Sequence, residues 1–401
     1  MVVTMHTMMG AQAMGAPLSS FVSQFELSIT ILFMLSAFLL YRPFVAARMG
    51  KGRPVAIRDY AFRRALRILP GYWVALVVLA IYPGLQGVFT GDWWVYFGLL
   101  QDYHPLYEPD VLFCAAPNEP CGPNSPWSVI ELTGGILPAW TLGVEVTFYA
   151  VLPLFVLAFG WLSTRVRHPL RLELGLLAVL SAASVLTRYY ALDHIQTWIW
   201  VLKTLPTIFL WLATGMVLAI VSAQLQGREQ TSRFVMSVTR RPWLPWVAAI
   251  ALYCLLVVVL LPTPDLYGQT LAGGVFKYVA LTVIALLLLL PATFGDHAGG
   301  WPRRVLANRF IAWIGLIAYG LYLYHLPIMV KLNELGIGDI QDPFLRWVVL
   351  TIATFAVAIP CGAASYYLVE RWFLRLKYRG RKTTRAAPRP APEEVVARLP
   401  T

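Results

Sequence analysis

A glutamate interrupts an apolar stretch that has the length and composition of a membrane helix. Glu145 lies within Trp140–Tyr149 (WTLGVEVTFY), which runs on into the apolar residues 151–156. At helical spacing Thr141, Glu145 and Tyr149 share one face. A charged side chain near mid-bilayer costs at least roughly 2.5 kcal/mol, so this carboxylate is a candidate functional group. The alternative is an interfacial Glu145, about one turn below the headgroups, whose side chain extends into them.

Two histidines complete a candidate acid–base group. His6 stands in the apolar stretch at the start of the chain, and His325 ends the run IGLIAYGLYLYH. The predicted helix directions place both histidines and Glu145 towards the same side of the membrane. A histidine beside a carboxylate is a general base suited to taking a proton from a hydroxyl. The alternatives are a terminal His6 without a role and an interfacial His325 beside Tyr322 and Tyr324.

Two arginines lie at the opposite membrane face. The stretch FRRALRILPGYW places Arg64 and Arg67 three residues apart, on one helix face. Two guanidinium groups suit a phosphate-bearing ligand, although anchoring at the cytoplasmic surface also explains them. Glycine-rich phosphate loops, nucleophile elbows and paired-histidine zinc helices are absent from the sequence, and no metal site is expected.

The composition is that of a polytopic membrane protein. The chain has 401 residues, of which 58% are hydrophobic and 13% charged, and its mean hydropathy is +0.65, too apolar for a soluble globule. The net charge of +12 could suggest nucleic acid. The basic residues instead cluster between apolar spans, which is the positive-inside pattern. We therefore expect membrane lipids as partners, no nucleic acid, and a multi-pass location in the cell membrane.

The apolar runs predict an all-α bundle of about ten spans, the first incomplete because it is shorter than the about 20 residues needed to cross a bilayer. Arginine-rich gaps indicate that both termini are cytoplasmic. The stretch 85–139 has no lysine or arginine and is predicted to lie outside the cell. Its aromatic segment 90–100 is interpreted as an interfacial or re-entrant piece. Cys114 and Cys121, in the same stretch, are a candidate disulfide. The predicted complete spans begin near residues 28, 69, 140, 172, 205, 244, 275, 310 and 347.

The chain divides into a transmembrane domain over residues 1–373 and a cytoplasmic tail over 374–401. From residue 383 the tail is rich in proline, alanine and arginine without a periodic face, which is typical of disorder. We find no internal repeat, so the inverted-repeat pattern of many transporters is missing from the sequence.

These stretches together resemble the acyltransferase-3 family of integral-membrane acyltransferases, which includes bacterial polysaccharide O-acetylases and macrolide O-acyltransferases. The resemblance covers about residues 1–373. LFMLSAFLLYRPF is similar to the family's second-helix motif, with Ala37 where glycine is usual, and FRRALRILPGYW to its arginine motif. WTLGVEVTFYAVLP is similar to its tryptophan–serine–leucine…glutamate motif, with Thr141 for serine. GLIAYGLYLYHLPI and SYYLVERWF are similar to the last two helices, with Trp372 where proline is common.

The resemblance implies transfer of an acyl group from cytoplasmic acyl-CoA to a hydroxyl of an extracytoplasmic or membrane-bound acceptor. Acetyl is the expected acyl group. A cell-envelope sugar or glycolipid is the expected acceptor, and a macrolide the alternative. Acyl-CoA is then a co-substrate, and no bound cofactor is expected. In the family an arginine stands about three turns before the histidine matched by His6; that position falls before Met1, so we expect the first helix to be incomplete here. The implied site consists of His6 and Glu145 as catalytic residues, Arg64 and Arg67 for acyl-CoA, and Ser36, Trp140, Thr141, Tyr149, Tyr322 and His325 in support.

A proton-coupled transporter or flippase is the alternative from another functional class. The same intramembrane histidine and glutamate residues can relay protons. Release of free CoA thiol when an acceptor is added distinguishes an acyltransferase from such a transporter.

The predicted orientation is tested by cysteine labelling in a cysteine-free background. Cysteines near Arg58 or Arg240 should be shielded from a membrane-impermeant thiol reagent in intact cells, and cysteines near Pro123 or Gly338 should react, because lysine and arginine concentrate in cytoplasmic loops. Permeabilised cells, in which all four positions should react, provide the control. The opposite labelling pattern would contradict the orientation.

Overall fold

The computed structural model describes residues 1–85, 88–89, 93–103, 135–194, 198–227, 232–260, 270–294 and 300–379, and in these ranges it contains helices but no β-strand. Among the described residues, eight helices are long and apolar enough to cross a membrane, or nine spans when a pair of helices bent by 81° is counted as one. The predicted all-α polytopic bundle is thereby confirmed. Cys114, Cys121 and the tail from residue 380 lie outside the described residues.

The α-helices follow one another with short connections. In chain order they are α1 (Val2–Gly10), α2 (Ser19–Val22), α3 (Leu27–Arg48), α4 (Ile57–Ile81), α5 (Trp93–Phe97), α6 (Trp140–Ser163), α7 (Pro169–Asp193), α8 (Leu205–Leu225), α9 (Arg233–Arg240), α10 (Trp243–Leu260), α11 (Leu271–Thr293), α12 (Trp301–Leu306), α13 (Arg309–Glu334), α14 (Pro343–Ser365) and α15 (Arg371–Arg379), with a π-helical turn over Tyr366–Glu370 between the last two. Within a bilayer such helices satisfy their own backbone hydrogen bonds, which is why apolar runs of this length become helical.

Several helices extend beyond the apolar runs that predict them. α3 continues through Arg48, and α4 begins at Ile57 rather than near Leu69. Arg64 and Arg67 therefore lie on a helix, where arginine is a good helix former. The aromatic segment forms the five-residue α5, which is too short to cross a membrane.

The chain forms two compact units. Unit 1 contains Met1–Val22, Ala61–Val146 and the described residues from Ala312 onwards, and unit 2 contains Ser23–Tyr60 and Thr147–Ile311. Each unit is thus assembled from segments that are distant in the sequence.

In unit 1, α1 packs against α14, and α13 meets α14 at two glycines. A Cβ added to Gly320 would lie 2.9 Å from the Cα and carbonyl oxygen of Gly362, and one added to Gly362 would lie 2.7 Å from the backbone nitrogen of Leu321. Small residues at a crossing allow two membrane helices to approach backbone to backbone. The two glycines therefore permit this close contact.

In unit 2, α8 packs against α3 and α7, and α11 packs against α3, α7 and α10. A Cβ on Gly215 of α8 would overlap the carbonyl oxygen of Met34 on α3, so these two helices also approach closely. Apolar side chains from α3, α10 and α11 fill the space between those helices. The buried members of this cluster are Leu27, Met34, Ala249, Tyr253, Leu256, Ala280, Leu281, Ile284 and Ala285.

One end of unit 2 carries paired charges. The buried Glu173 accepts hydrogen bonds from Tyr41 and Arg48. Lys51 donates to the carbonyl oxygens of Ala223 and Gln224, at 3.1 and 2.6 Å, in the last turn of α8. A cation at a helix C-terminus satisfies carbonyls that have no partner within the helix.

The glycine crossing is tested with one substitution at two positions of α13. Gly320→Leu should lower the melting temperature of the detergent-purified protein by several degrees, because overpacking costs about 1–3 kcal/mol. Gly315→Leu is the matched control, since a Cβ at Gly315 meets nothing within 4 Å. Equal melting temperatures for the two variants would show that the backbones do not approach at Gly320.

Candidate active site

A hydrogen-bonded pair of histidines lies in unit 1. Nδ1 of His6, on α1, is 2.8 Å from Nε2 of His325, on α13. The two rings are nearly parallel, with an interplanar angle of 3°. His325 is fully buried within the protein, with an exposed fraction of 0%. The structure brings together two residues that the sequence singles out separately.

The hydrogen-bond network fixes which ring nitrogens carry hydrogen. Nδ1 of His325 lies 2.7 Å from the carbonyl oxygen of Tyr322. A carbonyl oxygen only accepts, so this Nδ1 carries the hydrogen, and Nε2 of a neutral His325 is an acceptor. Nδ1–H of His6 then donates to it, and the lone pair of His6 remains on Nε2. The pair therefore leaves one basic nitrogen, Nε2 of His6, available to take a proton.

α1 is held in register by contacts on both sides of His6. The hydroxyls of Thr7 and Thr351 are 2.6 Å apart. The indole nitrogen of Trp347 donates to the carbonyl oxygen of Thr4 at 3.2 Å. These contacts to α14 fix the position of a helix of only nine residues, and with it the position of the His6 ring.

The start of α6 holds Tyr322, which lies one turn before His325 on α13. The hydroxyls of Thr141 and Tyr322 are 2.6 Å apart, and the Tyr322 hydroxyl also donates to the carbonyl oxygen of Pro138. Trp140, predicted to support the site, is half-buried at the first position of α6. Tyr322 thus connects the tryptophan–threonine motif to the backbone carbonyl that orients His325.

Glu145 is buried, with an exposed fraction of 6%. This burial is inconsistent with a side chain that extends into the headgroups. The Glu145 carboxylate interacts electrostatically with Tyr319, and so does a second buried carboxylate, Glu370. Unit 1 therefore holds two acidic side chains around one tyrosine hydroxyl.

Glu370, within the stretch SYYLVERWF, is a further candidate site residue. It ends the π-helical turn, a feature frequent at functional sites, and its Oε1 accepts a hydrogen bond of 3.0 Å from Ser365. A Cβ on Gly71 would lie 2.8 Å from the Tyr319 ring and 3.2 Å from Cγ of Glu370, so α4 also contacts this carboxylate. The criterion that identifies Glu145, a carboxylate in an apolar run, also identifies Glu370.

Arg64 and Arg67 lie on α4, one to two turns before Gly71. Arg64 is half-buried and Arg67 is exposed. Arg67 interacts electrostatically with Glu370. One of the two predicted phosphate-binding arginines, Arg67, thus lies near Glu370.

Polar side chains follow one side of α13 between these two regions. Tyr319, Tyr322 and His325 are spaced three residues apart, and the first donates a 2.8 Å hydrogen bond to the carbonyl oxygen of Ile68 on α4. Six residues of α-helix span about 9 Å. A polar column of this length joins the level of Glu370 to the histidine pair.

Two predicted supporting residues belong to unit 2. The hydroxyls of Ser36 and Tyr149 are 3.3 Å apart, and the Tyr60 hydroxyl donates to the carbonyl oxygen of Tyr149 at 3.3 Å. Ser36 therefore pairs with the glutamate motif's tyrosine inside unit 2. The described residues contain no cluster of three or more side chains able to hold a metal ion.

A membrane-embedded helical bundle with a hydrogen-bonded histidine pair and buried carboxylates is an arrangement suited to proton transfer. The family model for the acyltransferase domain of the acyltransferase-3 class matches residues 1–363, and the chain belongs to this family. The resemblance stated from the motifs is thereby confirmed.

Two similar proteins have names that refer to peptidoglycan. One, from Bacillus subtilis (strain 168), is named "Putative peptidoglycan O-acetyltransferase YrhL" and is 22% identical over 372 residues, which are 86% of this chain and 50% of that protein. The other, the peptidoglycan O-acetyltransferase OatA of Listeria monocytogenes serovar 1/2a (strain ATCC BAA-679 / EGD-e), is 22% identical over 345 residues, 83% of this chain and 49% of that protein. The chain thus spans about half the length of these curated relatives. No solved structure matches significantly.

The proton positions in the histidine pair are tested by nitrogen NMR of protein labelled at its six histidines. In the wild type, Nε2 of His6 should be the unprotonated nitrogen. In His325→Phe the acceptor for Nδ1–H is gone, so the hydrogen should move to Nε2, the position preferred in an isolated imidazole.

The exposed His194 provides a matched control, and His194→Phe should leave the His6 signals unchanged. The spectrum of a His6→Gln variant assigns those signals. An unprotonated Nε2 of His6 that persists in His325→Phe would contradict the assigned network.

Proposed function

We propose that this chain is a membrane-embedded O-acyltransferase that moves an acyl group, in the first instance acetyl, from cytoplasmic acyl-CoA to a hydroxyl of a cell-envelope glycan. The observation that carries the proposal is the His6–His325 pair, which leaves a basic nitrogen inside a chain of the acyltransferase-3 family. General-base catalysis of acyl transfer requires a nitrogen of this kind.

In the proposed reaction, Nε2 of His6 removes the proton from the acceptor hydroxyl. The oxygen attacks the thioester carbonyl, the carbon–sulfur bond breaks, and the CoA thiolate leaves and takes up the proton. His325 acts as a positioning residue, because it holds His6 in the tautomer that has its lone pair on Nε2. To Glu145, a buried carboxylate of the same unit, we assign the stabilisation of the transient imidazolium.

Donor binding is assigned to Arg64 and Arg67. Guanidinium groups bind phosphate through two parallel hydrogen bonds, and CoA carries phosphates. Arg67 is exposed, as contact with a soluble donor requires. The polar column along α13 then lies between the phosphate-binding end and the base, in a direction that an extended pantetheine arm could follow.

The proposed acceptor is a glycan because both relatives are named for the O-acetylation of peptidoglycan. Glycan hydroxyls need a base to become nucleophiles at neutral pH, which the histidine pair supplies. Membrane lipids surround the site, and a glycolipid intermediate of the envelope fits the same requirement.

The proposal is tested with purified protein, acetyl-CoA and peptidoglycan fragments, by following free CoA thiol and the acetyl mass on the glycan. His6→Ala and Glu145→Gln should each lower turnover, the first by about 10²–10⁴-fold because general-base catalysis is lost. Arg64→Ala and Arg67→Ala should mainly raise the KM for acetyl-CoA, since they contact only the donor.

Arg58→Ala is the matched control, because Arg58 is an exposed arginine at the start of the same helix. It should leave both kcat and KM near the wild-type values. Near-normal turnover in both His6→Ala and Glu145→Gln would contradict the catalytic assignment. Wild-type protein that never consumes the thioester, but carries protons or lipids across liposomes, would favour the transporter.

A further inference from the structure

Unit 2 contains a buried group of charges that the proposed site does not use. Glu26, Arg188 and Lys277 have exposed fractions of 8, 5 and 2%. Nζ of Lys277 is 3.0 Å from Oε2 of Glu26, a close ion pair. An Nη of Arg188 is 3.7 Å from Oε1 of the same carboxylate, too far for a hydrogen bond. Two buried basic side chains thus face the carboxylate of Glu26, and Arg188 lies farther from it than Lys277 does.

The Arg188 guanidinium has unused hydrogen-bonding capacity. Its Nε–H is buried and has no hydrogen-bond partner among the described residues. The guanidinium carbon lies 4.5 Å from the centre of the Tyr278 ring and 5.8 Å from that of Trp211. Aromatic faces stabilise a cation but accept none of its N–H groups in the way an oxygen does. A buried guanidinium in this condition is costly unless something else binds it.

Two other side chains of unit 2 also have a buried polar group without a hydrogen-bond partner among the described residues. The indole Nε1–H of Trp211 and the hydroxyl of Thr30 are both buried without a partner in the described part of the chain. The Trp211 ring contacts Tyr278, with centroids 5.2 Å apart, which places it beside Arg188. Thr30 stands one turn after Glu26 on the same face of α3. By the same criterion Oε2 of Glu26 makes no hydrogen bond, although Nζ of Lys277 lies 3.0 Å from it. Unsatisfied buried polar groups are rare in native proteins, so the Arg188, Trp211 and Thr30 groups need an explanation.

We propose that Arg188, Trp211 and Thr30 line a binding site for an oxyanion, a carboxylate or phosphate group of a ligand. The guanidinium and indole groups donate and cannot accept, so an oxygen-rich acceptor complements them. A negatively charged group also complements the guanidinium of Arg188, because Arg binds such groups through two parallel hydrogen bonds. Glu26 retains Lys277, so the anion is held chiefly by Arg188.

The site lies near one end of its helices. Glu26 directly precedes α3, Arg188 lies in the last two turns of α7, and Lys277 lies in the second turn of α11. On the predicted orientation this end is extracytoplasmic. A ligand therefore reaches it either from the outer solution or from the outer leaflet, as a soluble anion or as a lipid phosphate. The proposal concerns binding alone and does not depend on acyl transfer.

The experiment measures thermal unfolding of the purified full-length chain with two probes. In detergent, inorganic phosphate is titrated against sodium chloride of the same ionic strength. In nanodiscs, phosphatidylcholine is compared with phosphatidylcholine that contains phosphatidic acid. Binding should raise the wild-type melting temperature saturably, by roughly 5 °C near saturation.

Arg188→Gln should abolish this rise. Arg303→Gln is the matched control, because Arg303 is a second buried arginine of unit 2 whose guanidinium donates to the carbonyl oxygens of Pro291 and Phe294. It should lower the starting stability yet keep the anion-dependent rise. Trp211→Phe retains an aromatic ring and loses only the indole N–H, so it should bind the anion about tenfold more weakly; it also serves if Arg188→Gln does not fold.

The outcomes identify the source of the anion. A rise with phosphate that Arg188→Gln loses supports a soluble oxyanion, and a rise only with phosphatidic acid that the variant loses supports a lipid phosphate. The proposal is overturned if neither probe stabilises the wild type beyond its salt or lipid control. It is equally overturned if Arg188→Gln or Trp211→Phe responds to the anion as the wild type does.

Discussion

The hydrogen bond between His6 and His325 is the interaction on which the candidate site depends. It joins residues 319 positions apart in the chain. Because Nδ1–H of His325 donates to the Tyr322 carbonyl oxygen, Nδ1–H of His6 donates to Nε2 of His325, and the lone pair of His6 is on Nε2. The contacts around this hydrogen bond serve to hold its two ends. Thr7 and Trp347 fix the helix that carries His6, while Thr141 fixes Tyr322 and so the carbonyl oxygen below His325. A neutral imidazole in this network has the role that a carboxylate has in other acid–base pairs: it selects the tautomer.

The cost of burying charge organises the rest of the molecule. Three buried acids of the described residues have close polar partners. They are Glu173 with Tyr41 and Arg48, Glu26 with Lys277, and Glu370 with Ser365. This is the behaviour expected where water is excluded and the effective dielectric constant is low. Against this background Arg188 is distinctive, because comparable cations in unit 2, such as Arg303, are hydrogen-bonded to backbone carbonyls.

Sequence patterns predicted the helical architecture, the family and the burial of Glu145, because apolar length and an isolated carboxylate are local signals. They did not predict that His6 contacts His325, since a pairing between the two ends of the chain has no local signature. Ser36 and Tyr149 were grouped with the catalytic residues by motif, whereas the fold places both in unit 2. Arg188 was missed for a similar reason, because its contacts with Glu26 and Tyr278 join residues far apart in the sequence.

The glycine crossing of α13 and α14 has a consequence for how a substrate enters. Helices whose backbones touch cannot slide past each other by one residue without collision between the flanking side chains. α1 is hydrogen-bonded to α14, and His325 lies on α13. A motion of α13 against α14 would therefore separate the two imidazoles, whereas a fixed crossing preserves the hydrogen bond between them. Access to the histidine pair without loss of this bond then depends on helices other than α13 and α14.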